Sequence, residues 1–359
     1  MTAFVSNQQI VVAARRNLTQ AAWDYLVGGA DSETTLRRNR LAFDRVAFEP
    51  RILVDVSNVD PSTTLLGTKL LIPVILAPIG SMQQLAADGA IASARGASDF
   101  GTILTLGQTT QPPLEDVAAS CDGAKVFQMY VMGDLAWAEA LLGRVRKAGF
   151  TALCVNVDTP YHSHRDRSLL NSPEAPRRGE GARAGPNYLA SLTWDTLDRI
   201  REMAGLPFIL KGVTSAKDAA IAVGRGIETI WVSNHGGRQL DHARGTLDVL
   251  PEIVRAVGGR AKIILDGGIQ RGSDVVKALA LGGDAVAIGK LQGWGAAAAG
   301  AEGVTRVLEI LESEMRMTMA LLGVRSVDQL SPEYVCAAEP VTPPHEMSAW
   351  VNLPEGRLL

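Results

Sequence analysis

The residues best placed for proton chemistry lie in the stretch Trp231–Asp241, WVSNHGGRQLD. An apolar strand over Thr229–Val232 turns polar at Ser233, Asn234, His235 and Arg238. Gly236 and Gly237 allow the backbone conformations that other residues avoid. An imidazole and a guanidinium three residues apart suit removal of a proton from a substrate whose carboxylate is clamped. A lone histidine in a turn is more often a hydrogen-bonded structural residue, so the decision rests on what other segments bring to the same place.

Chemically capable side chains end several other apolar runs. Tyr25 closes a helical pattern over residues 7–27, which Gly28-Gly29 stops; it suits either a half-buried core position or a hydroxyl reaching out of one. Gln128 and Tyr130 sit on one run, Asn156-Val157-Asp158-Thr159-Pro160 ends another, and Lys211-Gly212 a third. Lys211 fits a Schiff-base nucleophile or a fixed charge beside an electron-rich ring. A carboxylate such as Asp158 behind a histidine fixes its tautomer and stabilises its charged form. Arg165 and Arg238 with a tyrosine could hold a carboxylate, although Arg165 alone equally suits a solvated loop charge.

Such residues need a scaffold that delivers strand ends to one place. From residue 71 short apolar runs alternate with amphipathic ones. Strands are expected at Pro73–Ala77, Thr102–Thr105, Lys125–Val131, Thr151–Val157, Pro207–Lys211, Thr229–Ser233, Lys262–Asp266 and Asp284–Gly289, each followed by a helical pattern. Eight such units over about 250 residues is the count and size of an α/β (β/α)8 TIM barrel. The lack of GxGxxG after the first strand argues against a doubly wound sheet. One domain is expected over 1–330, with the barrel at about 71–321 and an N-terminal helical segment before it. Residues 30–70 read as a lid or collar. A long loop (161–192) follows strand four, its centre Ser172–Pro186 expected to be mobile. A Pro-rich tail, 331–359, is expected to wrap on the surface or a neighbouring subunit. Barrel sites lie at the C-terminal strand ends. There strand one brings Ala77-Pro78-Ile79-Gly80, strand seven Asp266-Gly267-Gly268, and strand eight Gly289-Lys290. Glycine turns after strands seven and eight suit a phosphorylated cofactor.

Composition narrows the classes. With 35 Lys+Arg and 38 Asp+Glu the net charge is −3, which gives no sign of a nucleic-acid partner. Cys121, Cys154 and Cys336 form an odd, scattered set, consistent with a reduced compartment and with neither disulfide nor zinc spacing. No signal-peptide pattern opens the chain and no apolar run reaches ~18 residues, so a soluble cytoplasmic protein without membrane or metal is expected.

From about residue 8 to 330 the sequence resembles the FMN-dependent 2-hydroxy-acid oxidases and dehydrogenases. SNHGGRQLD at 233–241 carries the resemblance, with LAPIG at 76–80, FQMY at 127–130, VDTP at 157–160, LKGV at 210–213 and LDGGI at 265–269 in the matching order. The resemblance implies oxidation of an L-2-hydroxy acid to the 2-oxo acid with FMN. It implies His235 as base backed by Asp158, a carboxylate clamp of Arg238, Arg165 and Tyr25, and Tyr130 on the substrate oxygen. Lys211 would stand beside flavin N1 and O2. Gln128, Ser233, Asp266 and the Ala77–Gly80 backbone would be further flavin contacts, with Gly267, Gly268 and Gly289 at the phosphate end. The chain departs from the family at Asn156, where a threonine is usual. Gln270 and Lys290 stand where two phosphate-binding arginines are usual, with Arg271 adjacent, which predicts weaker FMN retention or a contact rearranged through Arg271. Gly80 replaces an alanine of several oxidases, and Gly107 a serine of some. The family implies a homotetramer or octamer and oxygen, a quinone or a redox protein as acceptor. Ile79, Met82, Tyr161 and His162 are the residues expected to set the substrate side chain. Two rivals are an FMN-dependent isomerase on a related barrel, which has no need of the Arg165–His235–Arg238 set, and a non-catalytic flavin-binding protein, which would tolerate its loss.

Overall fold

Eight parallel strands close into a barrel: β1 Val74–Leu76, β2 Leu104–Gly107, β3 Lys125–Met129, β4 Ala152–Asn156, β5 Phe208–Val213, β6 Thr229–Val232, β7 Lys262–Leu265 and β8 Ala285–Ile288. In this computed structural model residues 4–171 and 187–341 are described. Sequential strands pair side by side, and β8 closes on β1 through Val286↔Val74, Ala287↔Ile75 and Ile288↔Leu76. Strands buried on both faces read as continuous apolar runs, which is why all eight fall within a few residues of their expected positions.

Two hydrophobic layers hold the barrel. Its interior packs Ile75, Val126, Cys154, Ile209, Trp231, Ile264 and Ala287 together with Leu65 and Leu70. The last two come from a hairpin, Thr63–Leu65 with Thr68–Leu70, so part of the expected collar plugs the barrel instead. Outside, helices pack against the other strand faces in a larger cluster. The helix after β8 begins at Lys290 and runs to Leu322 with a non-helical step at Ala299 and Gly300.

The single helix expected over 7–27 is two. α1, Asn7–Asn17, ends as Leu18 turns extended, and the Thr19 hydroxyl caps α2, Gln20–Val27, by accepting from Ala22 N–H at 3.2 Å. Apolar spacing runs on across this break, so periodicity alone hides it. A third helix, α3 (Thr34–Asp44), lies within the 30–70 segment. No side chain of its own turn caps it. Asp241, the last residue of SNHGGRQLD, does so from afar, accepting from Thr35 N–H at 2.7 Å and Thr34 N–H at 3.2 Å.

In the loop after β4 a short helix, Asp166–Leu169, follows the strand, and the expected mobile centre lies outside the described residues. Of the tail, Val335–Ala337 pairs antiparallel with Val46–Phe48, and residues beyond 341 are likewise outside. Among the described residues no helix is long and apolar enough to cross a membrane.

Candidate active site

Beyond β6 the chain leaves the barrel through Ser233-Asn234-His235. His235 takes a left-handed conformation (φ 59°), and its N–H donates to Ser233 Oγ at 3.0 Å. Its ring Nδ1 meets Asp158 Oδ1 at 2.8 Å. The same Oδ1 accepts from Asn156 Nδ2 (2.7 Å) and the Thr159 hydroxyl (2.8 Å). β5 bulges beside this carboxylate, and the bulge needs Gly212 (φ 109°), where a Cβ would lie 2.9 Å from that of Asp158. Burial opposes ionisation of Asp158, but His235, Lys211 and the Asn156 amide outweigh it and hold the carboxyl far below its usual range. An ionised Asp158 places the imidazole hydrogen on Nδ1 and leaves Nε2 as the basic nitrogen.

Arg238 donates from Nη1 to the carbonyls of Tyr25 and Gly28, each at 2.7 Å, and its guanidinium lies 5.2 Å from the Tyr25 ring centre. The Tyr25 hydroxyl donates to Gly80 O at 2.8 Å. From the loop after β4, Arg165 donates to Ser163 Oγ and Arg238 O, both at 3.2 Å, and to Gln239 Oε1 at 3.1 Å. Gln239 in turn donates to Asp158 O (3.1 Å) and Tyr161 O (3.0 Å), tying that loop to the site. Burial, with Arg165 as a like charge, pushes Arg238 down to about 10, and burial lowers Arg165 as well. Burial pushes the Tyr130 phenol up to about 12.

Lys211, on β5, donates to Ser233 Oγ at 2.8 Å and sits 3.2 Å from Asp266 Oδ2, which also accepts from Trp231 Nε1 at 3.0 Å. Burial works against the Lys211 charge, yet Asp266 and Asp158 raise the ammonium above its ordinary value. It is thus a fixed cation rather than an amine free to act as a nucleophile.

One cavity of ≈380 Å³ joins these groups: Tyr25, Ile79, Tyr130, Arg165, Lys211, His235 and Arg238 line it. Gly267, Gly268, Gln270, Gly289 and Lys290 also line it, as do Ala77, Pro78, Gly80 and Asp266. Gly107, Gln128, Asn156, Asp158, Ser233 and Arg271 do not line the cavity wall. Gly107 backs onto Ile79, whose carbonyl oxygen would be 3.1 Å from a Cβ there. Arg271 pairs with Glu314 at 3.2 Å.

Several lining residues lay outside the sequence reading: Arg40, Thr109, Met132 and Leu189. Buried Arg40 binds Asp274 through two bonds of 2.7 and 2.8 Å and donates to Gly268 O at 2.8 Å, shaping the glycine turn after β7. A charged residue in a polar helix carries no sequence sign of that burial. Gln239 was within reach, since it stands in the same motif as His235.

A model of the FMN-dependent dehydrogenase family matches residues 14–337. The chain belongs to the FMN-dependent 2-hydroxy-acid oxidase and dehydrogenase family. It is 39% identical over 344 residues to glycolate oxidase of Spinacia oleracea (90% of this chain, 93% of that one) and 39% identical over 349 residues to L-lactate oxidase of Nostoc sp. (90% and 95%). Its fold matches a mandelate oxidase with (S)-4-hydroxymandelic acid at a TM-score of 0.86 and 35% identity, covering 94% of this chain and 100% of that one. The protein is therefore an oxidoreductase acting on CH–OH groups, with FMN as cofactor.

The residues present fit that cofactor. Asp266 Oδ1, on a residue of the cavity wall, is buried with no protein partner, an expensive state unless a ligand pairs it. At Gly268 (φ 90°) a Cβ would lie 2.7 Å from Asn39 O, so the turn keeps backbone, not side chain, toward the cavity. Lys290, which also lines the cavity, donates to Val27 O at 2.6 Å.

Proposed function

We propose that the protein oxidises an L-2-hydroxy acid to the 2-oxo acid, with Arg238 and Arg165 pairing with the substrate carboxylate and Tyr25 completing the clamp. Tyr130 donates to the α-oxygen. His235 takes a proton through Nε2, and Asp158 stabilises the imidazolium that results. FMN, when bound, supplies a two-electron acceptor. Lys211 fixes positive charge where Ser233 and Asp266 hold it, suited to a developing anion. Ile79, Thr109, Met132, His162 and Leu189 border the space left for the substrate side chain.

What supports this reading is the placement of the 2.8 Å His235–Asp158 pair in one site with two arginines. The test is anaerobic addition of L-2-hydroxy acids to the holoenzyme and to His235→Asn. The parent should bleach with at least one acid, and the variant should stay yellow and unbleached. Turnover retained by the variant would end the assignment of His235. Admitting air, then a soluble quinone, to the bleached parent identifies the acceptor class by which one restores the colour.

A further inference from the structure

We propose that Arg167 and Glu33 form a positioning pair that seats Arg165 over the cavity; this rests on the reading of Arg165 as part of the carboxylate clamp. Arg167 follows Arg165 by two residues, within the helix Asp166–Leu169. Its Nε and Nη2 meet the two Glu33 oxygens at 2.7 Å each, a fork-to-fork geometry joining segments 134 residues apart. Glu33 reaches this place from the turn between α2 and α3, in a left-handed conformation (φ 61°) that glutamate seldom adopts. Its Oε1 also accepts from Gly29 N–H at 3.0 Å. The surrounding backbone is stitched in the same sense. Asp31 N–H donates to His164 O (3.0 Å), Ala30 N–H to Gly237 O (2.9 Å), and Asn171 Nδ2 to Asp24 Oδ2 (2.9 Å).

The need for such a tether follows from Arg165 itself. Its hydrogen bonds run to Ser163, Gln239 and the Arg238 carbonyl, all uncharged acceptors. Arg238, a like charge, lies in the same cavity wall, so without substrate the two repel, which favours moving Arg165 away from Arg238. The Arg167–Glu33 pair opposes that bias two residues from the clamp. Burial would raise the Glu33 carboxyl, yet Arg167 and the Gly29 N–H hold it below its ordinary value, with Lys290 adding to the effect. The same carboxylate thus lies within the field of Lys290, which also lines the cavity.

A positioning role predicts a loss of binding rather than of chemistry. Single-turnover flavin reduction of the holoenzyme separates the two, giving a substrate dissociation constant and a limiting rate. Arg167→Leu should raise the dissociation constant about tenfold and leave the limiting rate within about threefold. Glu33→Gln should act in the same direction. Arg167→Lys should recover part of the loss, and the double reversal Arg167→Glu with Glu33→Arg should bind better than either single reversal. Arg165→Met serves as the reference. If it weakens binding while Arg167→Leu and Glu33→Gln do not, the tether is refuted and the clamp stands. If Arg165→Met also binds normally, the clamp reading fails first. Equal losses of rate and affinity in Arg167→Leu, or a double reversal no better than the singles, also overturn the proposal.

Discussion

Replacing Asp158 with asparagine tests the base and its support together. Asp158→Asn keeps the size and leaves an acceptor oxygen for the imidazole, but removes the negative charge beside it. At the 2.8 Å separation of Nδ1 and Oδ1, an effective dielectric of ~20 makes the attraction between imidazolium and carboxylate about 6 kcal/mol. The His235 side chain is 21% exposed, and the retained hydrogen bond returns part of the loss, so about 3 kcal/mol of stabilisation of the protonated base should disappear. That corresponds to about two orders of magnitude in the rate of flavin reduction. The assay is anaerobic stopped-flow bleaching under saturating substrate, with bound FMN measured separately to confirm that the site is loaded. Because the Asp158 carboxyl lies far below its usual range, the parent should not lose this support at any pH down to about 4. A carboxyl depressed in this way stabilises the folded chain above about 3.9, and that contribution fades as pH falls through the folded value. A variant that bleaches within about threefold of the parent rate would refute the reasoning, since the geometry calls for a loss of about a hundredfold.

Three other outcomes follow from the same geometry. Lys211 is raised above its ordinary range, so its stabilising contribution is fully present below about 10.5 and is lost only as pH rises through the folded value. Thermal midpoints should therefore show a deficit of about 2–3 kcal/mol in Lys211→Met that stays constant from pH 7 to 10, because Asp266 loses its buried partner; a deficit that vanishes within that range would contradict the assignment. Gln270→Arg should tighten FMN binding about tenfold and steepen its salt dependence, read from flavin fluorescence on release, whereas Lys290→Met should do the reverse. In Gly80→Ala the new Cβ would lie 2.6 Å from Thr109 Oγ1 and 3.3 Å from the Tyr25 hydroxyl. The single change should cost about 1–3 kcal/mol in denaturant unfolding, and Thr109→Ala in the same chain should recover most of it.

The strands were legible because a barrel strand is buried on both sides and shows as an unbroken apolar run. Site residues at strand ends followed from them: Tyr130, Lys211, His235, Asp266 and Gly289 lie where the barrel count puts them. What escaped depends on contacts between distant segments. The break at Leu18-Thr19 leaves the apolar spacing intact, α3 looks like a charged surface helix, and Arg40 looks like surface within it although it is 3% exposed. The hairpin around Gly67 shows no sign in its own residues that Leu65 and Leu70 fill the barrel floor. Nor does anything in the sequence around Arg167 point to Glu33, because the pair exists only once the helix Asp166–Leu169 is brought beside α2.

The cavity's cations differ in how their charges are matched. Arg40 is matched by Asp274 at 2.7 Å and Lys211 by Asp266 at 3.2 Å. Lys290 lies in the field of Glu33. Arg165 and Arg238 differ: among the described residues neither has a carboxylate within ion-pair distance, and both are bonded to neutral oxygens. Leaving two half-buried guanidinium groups in one cavity wall without a counter-ion is costly, and burial lowers both, with Arg165 as a like charge adding to the effect on Arg238. The His235–Asp158 pair cannot serve, because the Asp158 charge is already committed to the imidazole, Asn156 and Thr159. An anion entering beside Tyr25 therefore relieves repulsion as well as forming new bonds. This gain is open to a carboxylate and closed to the amide or ester of the same acid. On the proposed reading, selectivity for the acid thus rests on this pair of arginines, before any contact with the rest of the substrate decides which acid it is.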